Sequence, residues 1–92
     1  MDGPFVHFEV CSKWGYAQHY QRLRMALQRD LPGLIIVGSA SRRDGAFEIT
    51  VEPKNILVWS KIKTHKFPDD SLDDYQKVVQ NIVAALKESS SE

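Results

Sequence analysis

The sequence predicts an α/β domain of order β-α-β-β-β-α, a four-stranded mixed sheet with both helices on one face. Three observations predict it. Residues 5–10 alternate apolar and polar side chains and run straight into a helical stripe. Three further short apolar or alternating stretches follow, separated by glycine- and proline-bearing turns. A second helical stripe then closes the chain.

In residues 5–10, Val6, Phe8 and Val10 point one way and Phe5, His7 and Glu9 the other, the pattern of a strand with one buried face. Cys11-Ser12-Lys13-Trp14-Gly15 follows as a turn. Tyr16, Tyr20, Leu23, Leu27 and Leu31 then recur at spacings of four, three, four and four, with Arg22, Arg24, Gln28 and Arg29 off the stripe. Pro32-Gly33 ends this helix. Residues 34–37 are apolar and read as the second strand, and the polar residues 38–45 as a loop, expected to be among the more mobile segments from 39 to 45. Phe47, Ile49 and Val51 alternate with Ala46, Glu48 and Thr50 as the third strand. Glu52-Pro53-Lys54-Asn55 is a turn, residues 56–62 the fourth strand and residues 64–70 a polar loop. Ser71-Leu72-Asp73-Asp74 has capping-box spacing, and Leu72, Tyr75, Val78, Val79, Ile82 and Leu86 stripe the second helix. Strands one and two, joined by a helix, should be parallel, and the last two should form an antiparallel hairpin. Residues 1–88 read as one domain and 89–92 as a disordered serine-rich tail.

With 92 residues the chain holds one core. Lys+Arg and Asp+Glu both number 12, so no positive excess points to nucleic acid. The longest apolar run, Leu34-Ile35-Ile36-Val37, is far below the ~20 residues of a membrane span. The start shows no cationic and apolar leader, so the expected setting is cytoplasmic and reducing. A single cysteine excludes an internal disulfide framework. Cys11 with His7, His19 and His65 has no recognised metal-ligand spacing, so no metal is expected.

The residues leave two readings of Cys11 open. Free cysteine is often a buried, inert side chain. At a strand-to-helix turn it also lies near unpaired N–H groups and the positive end of a helix, with Lys13 beside it, and each favours the thiolate. Trp14 reads either as a plug packed on the helix or as a shelf that docks a partner. Gly15 lets the loop turn into the helix. Arg42-Arg43 reads as a solvated turn, or as an anion contact if its loop folds toward Cys11.

Val10-Cys11-Ser12-Lys13-Trp14-Gly15-Tyr16 resembles the active loop of the selenoprotein W family, the Rdx-type thioredoxin-like proteins, where a strand ends in Cys-x-x-selenocysteine or Cys-x-x-Cys. Leu31-Pro32-Gly33, Gly45-Ala46-Phe47-Glu48-Ile49, Leu57-Val58-Trp59-Ser60-Lys61 and Phe67-Pro68 resemble further motifs of that family in the same order. The resemblance implies a thioredoxin-like fold and a glutathione-linked, antioxidant or redox-regulating thiol role. It implies Cys11 and the position of Trp14 as the catalytic pair, with Ser12, Lys13 and Gly15 as the binding loop. Glutathione or client protein thiols are the implied partners, with no bound cofactor, and docking of phosphoserine adaptors of the 14-3-3 kind is also implied. One departure stands out: Trp14 occupies the place of the second redox group. Selenocysteine is encoded by UGA, one base from the tryptophan codon UGG. Indole forms no disulfide or selenenylsulfide, so a non-catalytic adaptor that binds protein through the Trp14 loop is the alternative function.

Overall fold

The computed structural model describes residues 3–89. Strand β1 (Phe5–Cys11) leads to helix α1 (Tyr16–Asp30), then to strands β2 (Ile36–Ser41), β3 (Phe47–Glu52) and β4 (Ile56–Ser60). A short helix α2 (Lys61–Thr64) and a 3-10 turn (Pro68–Asp70) precede the last helix α3 (Leu72–Ser89). The sheet order is β2-β1-β3-β4. β1 runs parallel to β2 and antiparallel to β3, and β3 and β4 form the expected hairpin.

The alternation in β1 and β3 decides which face is buried. Val6 lies opposite Val51, Phe8 opposite Ile49 and Val10 opposite Phe47. Leu23 and Leu27 of α1 and Val78, Ile82 and Ala85 of α3 pack with them in one core, so both helices cover the same face. The other face stays polar, with His7, Glu9, Glu48, Thr50 and Glu52 in register across β1 and β3. Ser71 caps α3 as its spacing predicts: its Oγ accepts from the Asp74 N–H at 3.3 Å.

Several boundaries differ from the sequence reading. β2 begins at Ile36 and continues through Gly38, Ser39, Ala40 and Ser41, which the polar composition assigns to a loop. Pairing with β1 along its whole length holds this stretch extended, and side-chain bonds from β1 reinforce it: His7 Nε2 to Ser39 Oγ at 2.8 Å, and Ser41 to Glu9. Gly38 fits here because Tyr20 lies over it; a Cβ would sit 2.7 Å from that ring. β1 extends one residue beyond the expected Val10, to Cys11, whose N–H donates to the Ala46 carbonyl at 2.8 Å. The fourth strand stops at Ser60 instead of Ile62, because Ser60 Oγ accepts the Lys63 N–H at 3.1 Å and starts α2. Leu72, expected on the buried stripe, is 71% exposed, since it opens the first turn of α3. Ser89 is the last residue of α3, and the rest of the expected tail, 90–92, lies outside the described residues.

Candidate functional site

Cys11 ends β1, and two loops meet over it. Residues 12–15 join it to α1, while residues 42–46 lead from β2 into β3. Alternation along β1 puts Cys11 on the polar face, in line with His7 and Glu9. It is nevertheless only 6% exposed. Backbone N–H groups of Lys13, from the first loop, and Gly45, from the second, hydrogen bond with its sulfur. These two bonds hold the thiol below its ordinary pKa, in that order of size, against burial and the Asp44 carboxylate, which push it up.

The direction is the expected one, but the cause is not. The sequence reading relies on the positive end of α1 and on the Lys13 charge. α1 begins at Tyr16, and residues 12–15 separate it from Cys11, so loop amides reach the sulfur instead. Lys13 Nζ pairs with Asp44 at 2.8 Å, and its charge acts on the thiol more weakly than the amides, burial or Asp44 do. That ion pair also ties the two loops together.

Of the other loop residues, Ser12, Lys13 and Trp14 are exposed. Trp14 is 92% exposed, which overturns the reading of a plug packed on the helix. The indole projects into solvent because Gly15, at φ 92°, turns the chain back into α1 behind it. The Tyr16 N–H donates to the Lys13 carbonyl at 3.2 Å and closes this turn.

The 42–46 loop does fold toward Cys11, and it holds the two arginines differently. Arg43 is committed to Glu9, donating from Nε to Oε2 at 2.9 Å and from Nη2 to Oε1 at 2.6 Å. Arg43 and Ser41 hold the Glu9 carboxyl at about 2, far below the usual carboxylate range. Arg42 is exposed in the same loop.

Sequence reasoning misses a cluster on the neighbouring side. His19 stacks on Phe67 with centroids 3.6 Å apart, and its Nδ1 donates to Asp69 at 2.8 Å. Arg22 Nε donates to the same carboxylate at 3.0 Å. Phe67 also meets Tyr16 and Phe47 edge-on, so this cluster fixes the start of α1 against the segment before α3. The partners are 50 residues apart, beyond any local pattern. Atoms of His19, Asp69 and Asp70 lie within 4.8 Å of one another, yet Arg22 already supplies the cation at Asp69. Glu48 is the other miss: it falls on the side of the third strand opposite Phe47, Ile49 and Val51, yet it is 7% exposed and accepts the Ile62 N–H at 3.2 Å at the start of α2. His7 and His65 stay apart from Cys11's loops, one bonded to Ser39 and the other ending α2. A wide cleft lined by Lys61, Phe67, Asp70, Asp74 and Lys77 contains none of residues 11–15. No helix among the described residues is long and apolar enough to cross a membrane.

The Rdx family model matches residues 5–83, which takes in β1, the Cys11 loop, all four strands and most of α3. Among solved structures, the chain is similar to the selenoprotein W-related protein from Vibrio cholerae, with a TM-score of 0.71 and 15% sequence identity. That likeness covers 92% of this chain and 99% of the other. No curated protein matches the sequence significantly. With the family match over most of its length, the chain belongs to the Rdx family, and its β-α-β-β-β-α frame with the helices on one face is the thioredoxin-like fold it shares with that selenoprotein W-related structure.

Proposed function

We propose that this protein is a thiol redox protein that acts through Cys11 and exchanges with the disulfide of oxidised glutathione or of a client protein. The observation that carries the reading is the pair of backbone N–H groups, from Lys13 and Gly45, aimed at the Cys11 sulfur. They favour the thiolate, the species that attacks disulfides. In the exchange the Cys11 thiolate attacks one sulfur of the disulfide. A bond forms between that sulfur and Cys11, the original S–S bond breaks, and its electron pair leaves on the second sulfur as a thiolate. Cys11 is oxidised and the disulfide reduced, and with Trp14 at the position of the second group the product is a mixed disulfide. Because Cys11 is only 6% exposed, this exchange requires the 12–15 loop, whose residues 12–14 are exposed, to give way at the sulfur. Arg42, exposed in the 42–46 loop that folds toward Cys11, is a cation that a glutathione carboxylate could meet.

Mass spectrometry after incubation with oxidised glutathione tests this. The native protein should gain one glutathione, released by a reductant, and a Cys11→Ser variant should gain none. A native protein that gains none while its unfolded form does would defeat the reading. The 92% exposure of Trp14 supports a second reading, an adaptor that docks protein through this loop. There Cys11→Ser would leave partner binding intact and Trp14→Ala would abolish it.

A further inference from the structure

Gly45 supplies one of the two amides at the Cys11 sulfur, yet it sits in an exposed loop, in a left-handed conformation at φ 76° with no side chain to anchor it. Its position comes from the residues before it. Arg43 forks onto both oxygens of Glu9, and its own N–H donates to Ser41 Oγ at 2.9 Å. Ser41 Oγ in turn donates to Glu9. The Arg43 carbonyl then accepts the Ala46 N–H at 3.3 Å, which folds residues 43–46 into a tight turn with Gly45 inside it. Glu9 lies on β1, two residues before Cys11 and on the same face. One strand therefore carries both the thiol and the carboxylate that anchors the loop amide above it.

We propose that the Glu9–Arg43 clamp is a positioning element for Cys11, fixing the 42–46 turn so that the Gly45 N–H is held against the sulfur. The proposal rests on the reading of Cys11 as the reacting thiol. The charged groups that bear on the sulfur directly are Asp44 and Lys13, which neutralise each other at 2.8 Å. Glu9 and Arg43 act through the backbone they hold, and a bidentate fork does this in a way that a single ammonium cannot reproduce in full.

The test is the titration of the Cys11 thiolate, followed by its ultraviolet absorbance, in the native protein and in Arg43→Gln, Arg43→Lys and Glu9→Gln. Arg43 is 58% exposed, so these changes spare the core, and circular dichroism confirms folding. At a pH below the midpoint, Arg43→Gln and Glu9→Gln should lower the thiolate fraction about three- to tenfold, equivalent to a rise of up to about one unit in midpoint. Arg43→Lys should recover part of that loss. Ser41→Ala, which removes only the bridging hydroxyl, should move the midpoint in the same direction by less. Folded variants whose Cys11 titrates like the native thiol would overturn the clamp. A native thiol that never titrates until unfolded would instead overturn the reading beneath it.

Discussion

Cys11 and Trp14 are three positions apart and have opposite surroundings: the thiol is nearly covered, and the indole stands in solvent. The burial of Cys11 follows from two loops that converge on one strand end, and only one of them is adjacent in sequence. Lys13 is legible as a nearby cation, but nothing in the local sequence shows that Asp44 takes that charge or that Gly45 delivers an amide. The exposure of Trp14 gives position 14 a simple experiment. Replacing an exposed tryptophan that touches little removes no core packing, so Trp14→Cys should fold. Under mild oxidation residues 11 and 14 should close an intramolecular disulfide, read as the loss of two hydrogens in the intact mass. A variant that remains a dithiol would mean that the two side chains cannot meet across the Lys13–Tyr16 turn. The sequence of codon 14 in the gene tells in parallel whether the position is encoded as tryptophan or by UGA.

At the scale of elements, β1, α1, β3 and α3 were legible because each carries a one-sided apolar period. Phe8 and Val6, Leu23 and Leu27, Ile49 and Val51, and Val78 and Ile82 all enter the core where the spacing puts them. β2 was legible only in its apolar half. Its polar half, from Gly38 to Ser41, is a strand because of what lies beside it, and pairing with β1 is not written in local composition. α2 was hidden for a similar reason, since its start depends on Ser60 and on the distant Glu48 carboxylate. The β1-to-loop contact through Glu9 makes a pH prediction. Its carboxyl titrates at about 2 in the folded chain, below its ordinary value of 4.5. A lowered folded pKa contributes stability that is present above the ordinary value and is lost as pH falls toward the folded one. Urea midpoints should therefore decline between about pH 4.5 and 2, and the decline should be smaller in Glu9→Gln. Partial solvent exposure keeps the effect modest. Identical acid profiles for the two proteins would show that the fork adds nothing to stability.

For the whole molecule, one aromatic cluster joins the sheet to the elements around the site. Phe47 is fully buried, meets Phe8 edge-on with centroids 5.7 Å apart and meets Phe67 at 5.3 Å. Phe67 carries Tyr16 and His19 on its other sides. Core and loop geometry are thus mechanically joined, and a domain of 92 residues has little stability to spare. Phe47→Ala should cost about 3–5 kcal/mol in urea denaturation. It should also loosen the start of α1, seen as faster hydrogen exchange at Tyr20 and Leu23. A loss below about 1 kcal/mol would contradict the placement of Phe47 at the centre of the core.

The central claim is that the native fold makes Cys11 a reactive thiol, and the pH dependence of its alkylation by iodoacetamide tests that claim most directly. The unfolded chain, labelled in denaturant, provides the reference thiol in the same molecule. The account predicts that native Cys11 is labelled without denaturation and that its rate rises with pH at a midpoint clearly below the unfolded reference. Labelling that begins only on unfolding, or a native midpoint at or above the reference, would contradict it and leave Cys11 as a buried structural residue.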